Sequence, residues 1–212
     1  IFYSSTILGV GIYNNLSTIN FLRSNITGNT ANSGGAIAHP SAGVTTSFEN
    51  CILADNQATT AGVAKMNGGT LDLVNSTIAN NQATSSSGGV FYNQLATITI
   101  RNSILWGNRA ATIGHIASYN GGSITITDSI IQNDDDGNVT DLPFFTDNGT
   151  TAASGFTSEE DPWFVGEADY HLQAPSPAID NASATYSPTD DIDGDSRPQG
   201  SGDDIGADEY TP

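Results

Sequence analysis

The chain has almost no cations, almost no sulfur and no long apolar runs. Its 212 residues include five Lys+Arg, one Cys and one Met. So few cations argue against nucleic acid or an anionic membrane as a partner, because both are held by Lys/Arg surfaces. A single cysteine, Cys51, rules out an internal disulfide framework. No apolar stretch approaches the ~20 residues of a membrane-spanning helix, so no membrane insertion is expected. No basic leader segment stands before "ILGVG".

Acid is abundant and unevenly placed. Asp+Glu total 23 and the formal net charge is −18. Residues 1–127 hold four basic and three acidic groups, whereas residues 128–212 hold one basic and twenty acidic groups. The charge step marks two regions of different construction, and the excess fits a protein working outside the cell.

The first region repeats. "TINFLRSNITGN" (18–29), "TTSFENCILADN" (45–56), "TLDLVNSTIANN" (70–81), "TITIRNSILWGN" (97–108) and "SITITDSIIQND" (123–134) fall into register. Their last positions, Asn29, Asn56, Asn81, Asn108 and Asp134, are spaced by 27, 25, 27 and 26 residues. Within each segment polar and apolar residues alternate with period two, as in a strand with one buried face. Ser24, Cys51, Ser76, Ser103 and Ser129 form a column of small residues, which reads Cys51 as a buried residue at a bend. Short β segments at this period, without a helix-period stretch, suit one coil of a solenoid and not a β-α-β unit. The fold expected is all-β: a right-handed parallel β-helix with coils of 25–27 residues over 1–133, closed by an irregular acidic region, 134–212, packed on the last coil. The Asn29, Asn56, Asn81 and Asn108 column is expected to form an amide ladder at a turn, where asparagine tolerates the left-handed conformation. Gly35, Gly62, Gly89 and Gly114 mark a second bend or a close backbone approach. "GVGIYNN" (9–15) matches "GGVFYNQ" (88–94), so the chain is expected to enter the helix in mid-coil. Either earlier coils precede this stretch, or Ile1, Phe2, Tyr3, Ile7, Leu8 and Ile12 form an assembly surface against a neighbouring subunit.

The ending "DPWFVGEADYHLQAPSPAID", followed by "DIDGDSRPQGSGDDIGADEY", resembles the C-terminal motif of secreted right-handed β-helix proteins of the choice-of-anchor Q type. The coils "GGAI", "GIYNN" and "NSTIANN" are similar to that group and to polymorphic outer-membrane protein repeats. The resemblance implies an extracellular or cell-surface location and a parallel β-helix. It implies no reaction.

Candidate chemistry is sparse. Glycoside hydrolysis needs two carboxylates at a set separation, and the outward strand columns offer Asp72, between Ser47 and Thr99. A lyase would draw on Lys65, Arg101 and Arg109, which fall in different columns, and His39, His115 and His171 do not share a register. Catalysis is not expected. For calcium the candidates are Asp191, Asp193 and Asp195, with Asp134 and Asp136, although the glycine spacing departs from the EF-hand loop. A salt link from Arg197 to a neighbouring aspartate is the simpler role for part of that motif. Asn15, Asn25, Asn75, Asn138, Asn148 and Asn181 begin N-x-S/T triplets and are glycosylation candidates. The function expected is a structural one, with self-association into a filament or surface layer. A glycan-binding module using Trp106, Tyr92 or Tyr119, and a degenerate polysaccharide lyase or hydrolase, are the alternatives.

Overall fold

A computed structural model describes residues 11–85, 88–111, 116–119, 121–132, 144–147, 150–158 and 160–212. These residues form a parallel β-helix and contain no helix, hence none long and apolar enough to cross a membrane. Each coil contributes four short strands. The first row is Thr18–Leu22, Thr45–Glu49, Thr70–Val74, Thr97–Arg101 and the start of Ser123–Ile131. The second row is Asn25–Thr27, Ile52–Ala54, Thr77–Ala79 and Ile104–Trp106, and it joins the first through the long Ser123–Ile131 strand. Thr30–Ser33, Gln57–Thr60, Gln82–Ala83 and Arg109–Ala110 make the third row. The fourth runs from Ile12–Tyr13 through Ile37–His39, Ala64–Met66, Phe91–Gln94 and Ile116–Tyr119 to Phe144–Asp147.

The register is the one the sequence repeat predicts. Thr18, Thr45, Thr70, Thr97 and Ser123 pair in turn, coil on coil. Alternation then turns Phe48, Leu71, Leu73, Ile98, Ile100, Ile124 and Ile126 into the interior, all at most 1% exposed. Each such side chain contributes about 1.5–3 kcal/mol by leaving water. From the second row, Ile26, Leu53, Ile78 and Leu105 meet them, and Phe21 stacks on Phe48 at 5.0 Å.

The corners are set by residues that accept positive φ. The first corner uses Arg23, Asn50, Asn75, Asn102 and Asp128, and the second uses Gly28, Asp55, Asn80 and Gly107. The amide ladder is present, but its asparagines are not the left-handed residues. Each follows the left-handed position by one, which turns its side chain inward. Asn56 Nδ2 donates to Asn81 Oδ1 and Asn81 Nδ2 to Asn108 Oδ1, both at 2.9 Å, and the same oxygens accept the backbone N–H of Asn56 and Asn81. Asn56, Asn81 and Asn108 also donate to the Ile26, Leu53 and Ile78 carbonyls. A second ladder runs through the small-residue column. The hydroxyls of Ser76, Ser103 and Ser129 accept from the backbone N–H of Cys51, Ser76 and Ser103, while each donates to the carbonyl two residues earlier. Cys51 follows the same pattern through Sγ, and burial pushes its thiol up to about 11. Glycine is required where coils touch most closely: a Cβ on Gly35 would lie 2.1 Å from the Gly62 carbonyl oxygen. Gly114 lies outside the described residues.

Two expectations about the C-terminal region are corrected. The coils do not end at residue 133, because Phe144–Asp147 and Thr150–Ser158 pair in parallel with Ile116–Tyr119 and Ser123–Ile131. Backbone pairing continues there without the side-chain signature that defined the repeat. Nor does the remainder, 160–212, sit on the end of the last coil. It runs along the flank of the helix as a lateral strap, bonded to successive coils at Asn50, Asn75 and Asn102.

Replacing Asn81 by Ala strands acceptors and donors on three coils, and each buried group left unpaired costs about 1–3 kcal/mol. A loss of about 3 kcal/mol in urea unfolding is therefore expected for Asn81→Ala. The exposed Asn20→Ala should stay within about 0.5 kcal/mol.

Candidate functional site

The strap lies over the second row because that row is apolar on both faces. Ile52–Ala54 and Thr77–Ala79 are buried at every position, although a strand with one wet face would alternate. Ile52, Ala54 and Ala79 pack against Tyr170 and Ala207, while Ile104 and Ile130 pack against Leu172, Ala178 and Ile205. The flanking corners supply the polar contacts. Asn102 exchanges two bonds with the Ser183 backbone, its Oδ1 accepting from N–H and its Nδ2 donating to the carbonyl, each at 2.9 Å. Asn75 Nδ2 donates to the Asp204 carbonyl, Ala207 N–H to Thr77 Oγ1, and Tyr170 O–H to Asp55 Oδ2. Gly206 touches the coil, where a Cβ would lie 2.8 Å from Ile104 Cδ1.

Inside the strap, Arg197 and Glu209 form an ion pair of 2.9 Å with both side chains wholly buried. Arg197 also donates to the carbonyls of Asp204, Gly206 and Asp208, so a single guanidinium shapes the 204–209 loop. Glu209 accepts from the Gln199 and Asp204 backbone amides. The salt link expected for Arg197 thus exists, with Glu209 in place of an aspartate, because the neighbouring aspartates staple backbone. Asp204 accepts from Asp180 and Tyr210 N–H, each at 2.7 Å, while burial pushes its carboxyl up to about 7.

The expected calcium triad is not assembled. Asp191 is 1% exposed; its Oδ1 accepts the N–H groups of Asp193, Gly194 and Asp195, and its Oδ2 accepts that of Glu209. Its oxygens are turned onto backbone, closing a tight turn. Asp195 is exposed, and Asp193 turns away to His171. Asp134 and Asp136 lie outside the described residues.

What does converge is a histidine among carboxylates. Asp169 and His171 share one face of the Asp169–Leu172 strand, two residues apart, with His171 Nδ1 2.5 Å from Asp169 Oδ1. His171 Nε2 is 2.7 Å from Asp193 Oδ2, and Asp208 stands beside it with Oδ2 accepting Leu172 N–H at 2.7 Å. The Asp169 hydrogen bond chiefly raises the imidazole to about 9, and burial pushes the Asp208 carboxyl up. The D-x-H spacing on a strand was visible in the sequence as a same-face pair. Asp193 and Asp208 come from irregular loops, whose approach no periodicity reports.

The other candidates are dispersed. Asp72 pairs laterally with Ser47 and Thr99 as expected, half-buried on the first row. Lys65 lies over the Tyr92 ring on the fourth row, Arg101 over Tyr186, and Arg109 is exposed on the third row, so these cations share no face. His39 is buried, bonded to Thr46 through Nε2, and burial lowers it to about 4; His115 lies outside the described residues. Trp106 is half-buried and packs against the strap, Tyr92 is half-buried with Lys65 over its ring, and Tyr119 lies in a strand described by its backbone. Of the glycosylation candidates, Asn15 and Asn181 are exposed and Asn25 is half-buried. Asn75 is corrected: it is 0% exposed, bonded to Asp204 and Asn102 beneath the strap, which leaves no room for a glycan. Asn138 and Asn148 lie outside the described residues. So do the assembly candidates Ile1, Phe2, Tyr3, Ile7 and Leu8, whereas Ile12 is an interior residue of the first described coil at 8% exposure.

A scan against protein-family models and searches of curated proteins and of solved structures find no match to this chain.

Removing one partner of a buried ion pair costs about 3–5 kcal/mol. Arg197→Met should lower unfolding stability by that amount. Arg197→Lys, which keeps charge but loses the fork reaching Gly206 and Asp208, should fall between the two.

Proposed function

We propose that this chain is a non-catalytic structural component of an extracellular or cell-surface assembly, joined to further copies through its N-terminal coil. The observation that carries this reading is a group of exposed apolar side chains. Among the described residues, Tyr13, Leu16 and Leu22 are three of the seven large apolar side chains that stand exposed, and all three lie on the first described coil. Apolar surface gathered in one place marks a contact with another chain. Head-to-tail stacking of a solenoid uses different surfaces on the two partners and extends without closing, which yields a filament.

The construction of the coils agrees with a structural role. Their interior is filled, two polar ladders link successive coils, and the strap ties the same coils together from outside. The resemblance to secreted choice-of-anchor Q proteins agrees with a location outside the cell, and the acidic surface agrees with a soluble one.

Sedimentation and negative-stain microscopy across a concentration series test the reading. The wild-type chain should form elongated species at high concentration. Leu16→Asp with Leu22→Asp, both at exposed sites, should suppress them while leaving the melting temperature unchanged. A wild-type chain that stays monomeric throughout would remove the proposal.

A further inference from the structure

The His171 cluster has an arrangement that the structural reading does not use. One donor atom from each of His171, Asp193 and Asp208 lies within 4.8 Å of the others. These are an imidazole nitrogen and two carboxylate oxygens, a mixed set that suits zinc and similar divalent transition ions better than calcium, which takes six to eight oxygens. A single ion held at bond lengths of about 2.0–2.2 Å would draw these three donors closer together.

The surroundings favour one nitrogen. Asp169 holds the Nδ1 side at 2.5 Å, so it is the Nε2 proton, bonded to Asp193, whose loss would leave a lone pair facing Asp193 and Asp208. A carboxylate behind the ligating histidine fixes its tautomer and orientation, as in many metal centres. The carboxylate ligands sit on braced backbone. Asp208 Oδ2 accepts Leu172 N–H and its carbonyl accepts Arg197 Nη2, while Asp193 N–H is tied to Asp191 Oδ1. The site is open on one side, with the His171 and Asp193 side chains 45% and 54% exposed, so water can complete the coordination.

We propose that His171 Nε2, Asp193 and Asp208 form a site for a divalent transition cation of the zinc type, with Asp169 as the positioning residue for the imidazole. When the ion binds, a proton on Nε2 leaves to solvent and the N–H···Asp193 bond is replaced by two bonds to the metal. The cation draws together three parts of the strap: the 169–172 strand, the 191–195 turn and the 204–209 loop. It would therefore stiffen the strap against the coils. The proposal is independent of the assembly reading.

The test uses the full chain, stripped with a chelator and titrated with zinc chloride at constant ionic strength. Calorimetry should show one zinc per chain, and saturation should raise the melting temperature. Calcium chloride at equal concentration should raise it far less. Asp193→Asn, at an exposed side chain whose one bond is to His171, should retain the fold and lose zinc affinity at least about tenfold. Asp169→Asn should weaken binding by about 10–100-fold through the imidazole alone. Asp195→Asn, on the same turn but outside the trio, should bind as the wild type does. The proposal is overturned if wild-type protein shows no zinc-dependent heat or thermal shift, if Asp193→Asn binds zinc as tightly as wild type, or if calcium matches zinc.

Discussion

The buried pair of Arg197 and Glu209 is the constraint on which the outer half of this molecule depends. Two charges removed from water lose several kcal/mol of solvation each, and their mutual attraction offsets this only when the remaining donors and acceptors are also satisfied. Here they nearly all are: the guanidinium reaches three carbonyls besides Glu209, and Glu209 accepts from two backbone amides. The pair therefore holds only one conformation of the 204–209 loop. That conformation places Gly206 and Ala207 against Asn102 and Thr77 of the coils and Asp208 beside His171. An acidic run that would repel itself in an extended tail becomes a set of staples from side chain to backbone.

The coils meet the strap with residues chosen for another purpose. A corner with positive φ favours asparagine, aspartate or glycine. At the first corner, Asn50, Asn75 and Asn102 then have amides left over, and these point outward to the strap. At the second corner Asp55 and Asn80 do the same for the Tyr170 hydroxyl. Inside, the Asn56–Asn81–Asn108 and Ser76–Ser103–Ser129 ladders keep each coil in register with the next. A shift of one residue would turn every apolar side chain of a strand outward. Backbone geometry, interior polarity and the docking of the strap thus derive from the same few columns.

How far the sequence discloses this varies with the kind of interaction. The coil register was legible, because like residues recur at 25–27 positions and alternate with period two within each strand. The ladder was legible as a column, while its place one residue after the left-handed corner was not, since asparagine serves both positions. The coils at 144–158 were hidden because they pair through backbone atoms and lack Asn and Ser at the ladder positions. The lateral course of the strap had left a signal in "CILAD" and "NSTIAN", where outward positions are Ile52, Ala54, Thr77 and Ala79, too apolar for a wet face. The choice of Glu209 for Arg197, and the meeting of His171 with Asp193 and Asp208, had none. Irregular chain carries no period, and its contacts are settled by three-dimensional closure of loops around one buried charge.

The central claim is that the strap is part of the β-helix fold and not an appended tail. Native-state amide hydrogen exchange tests it directly, since residues in one cooperative unit open together. The account predicts that Leu172, Ile205, Ala207 and Tyr210 N–H exchange as slowly as the coil amides of Leu71 and Ile98, through the same global unfolding. Exchange of the strap amides many orders of magnitude faster, with the coil amides still protected, would contradict it.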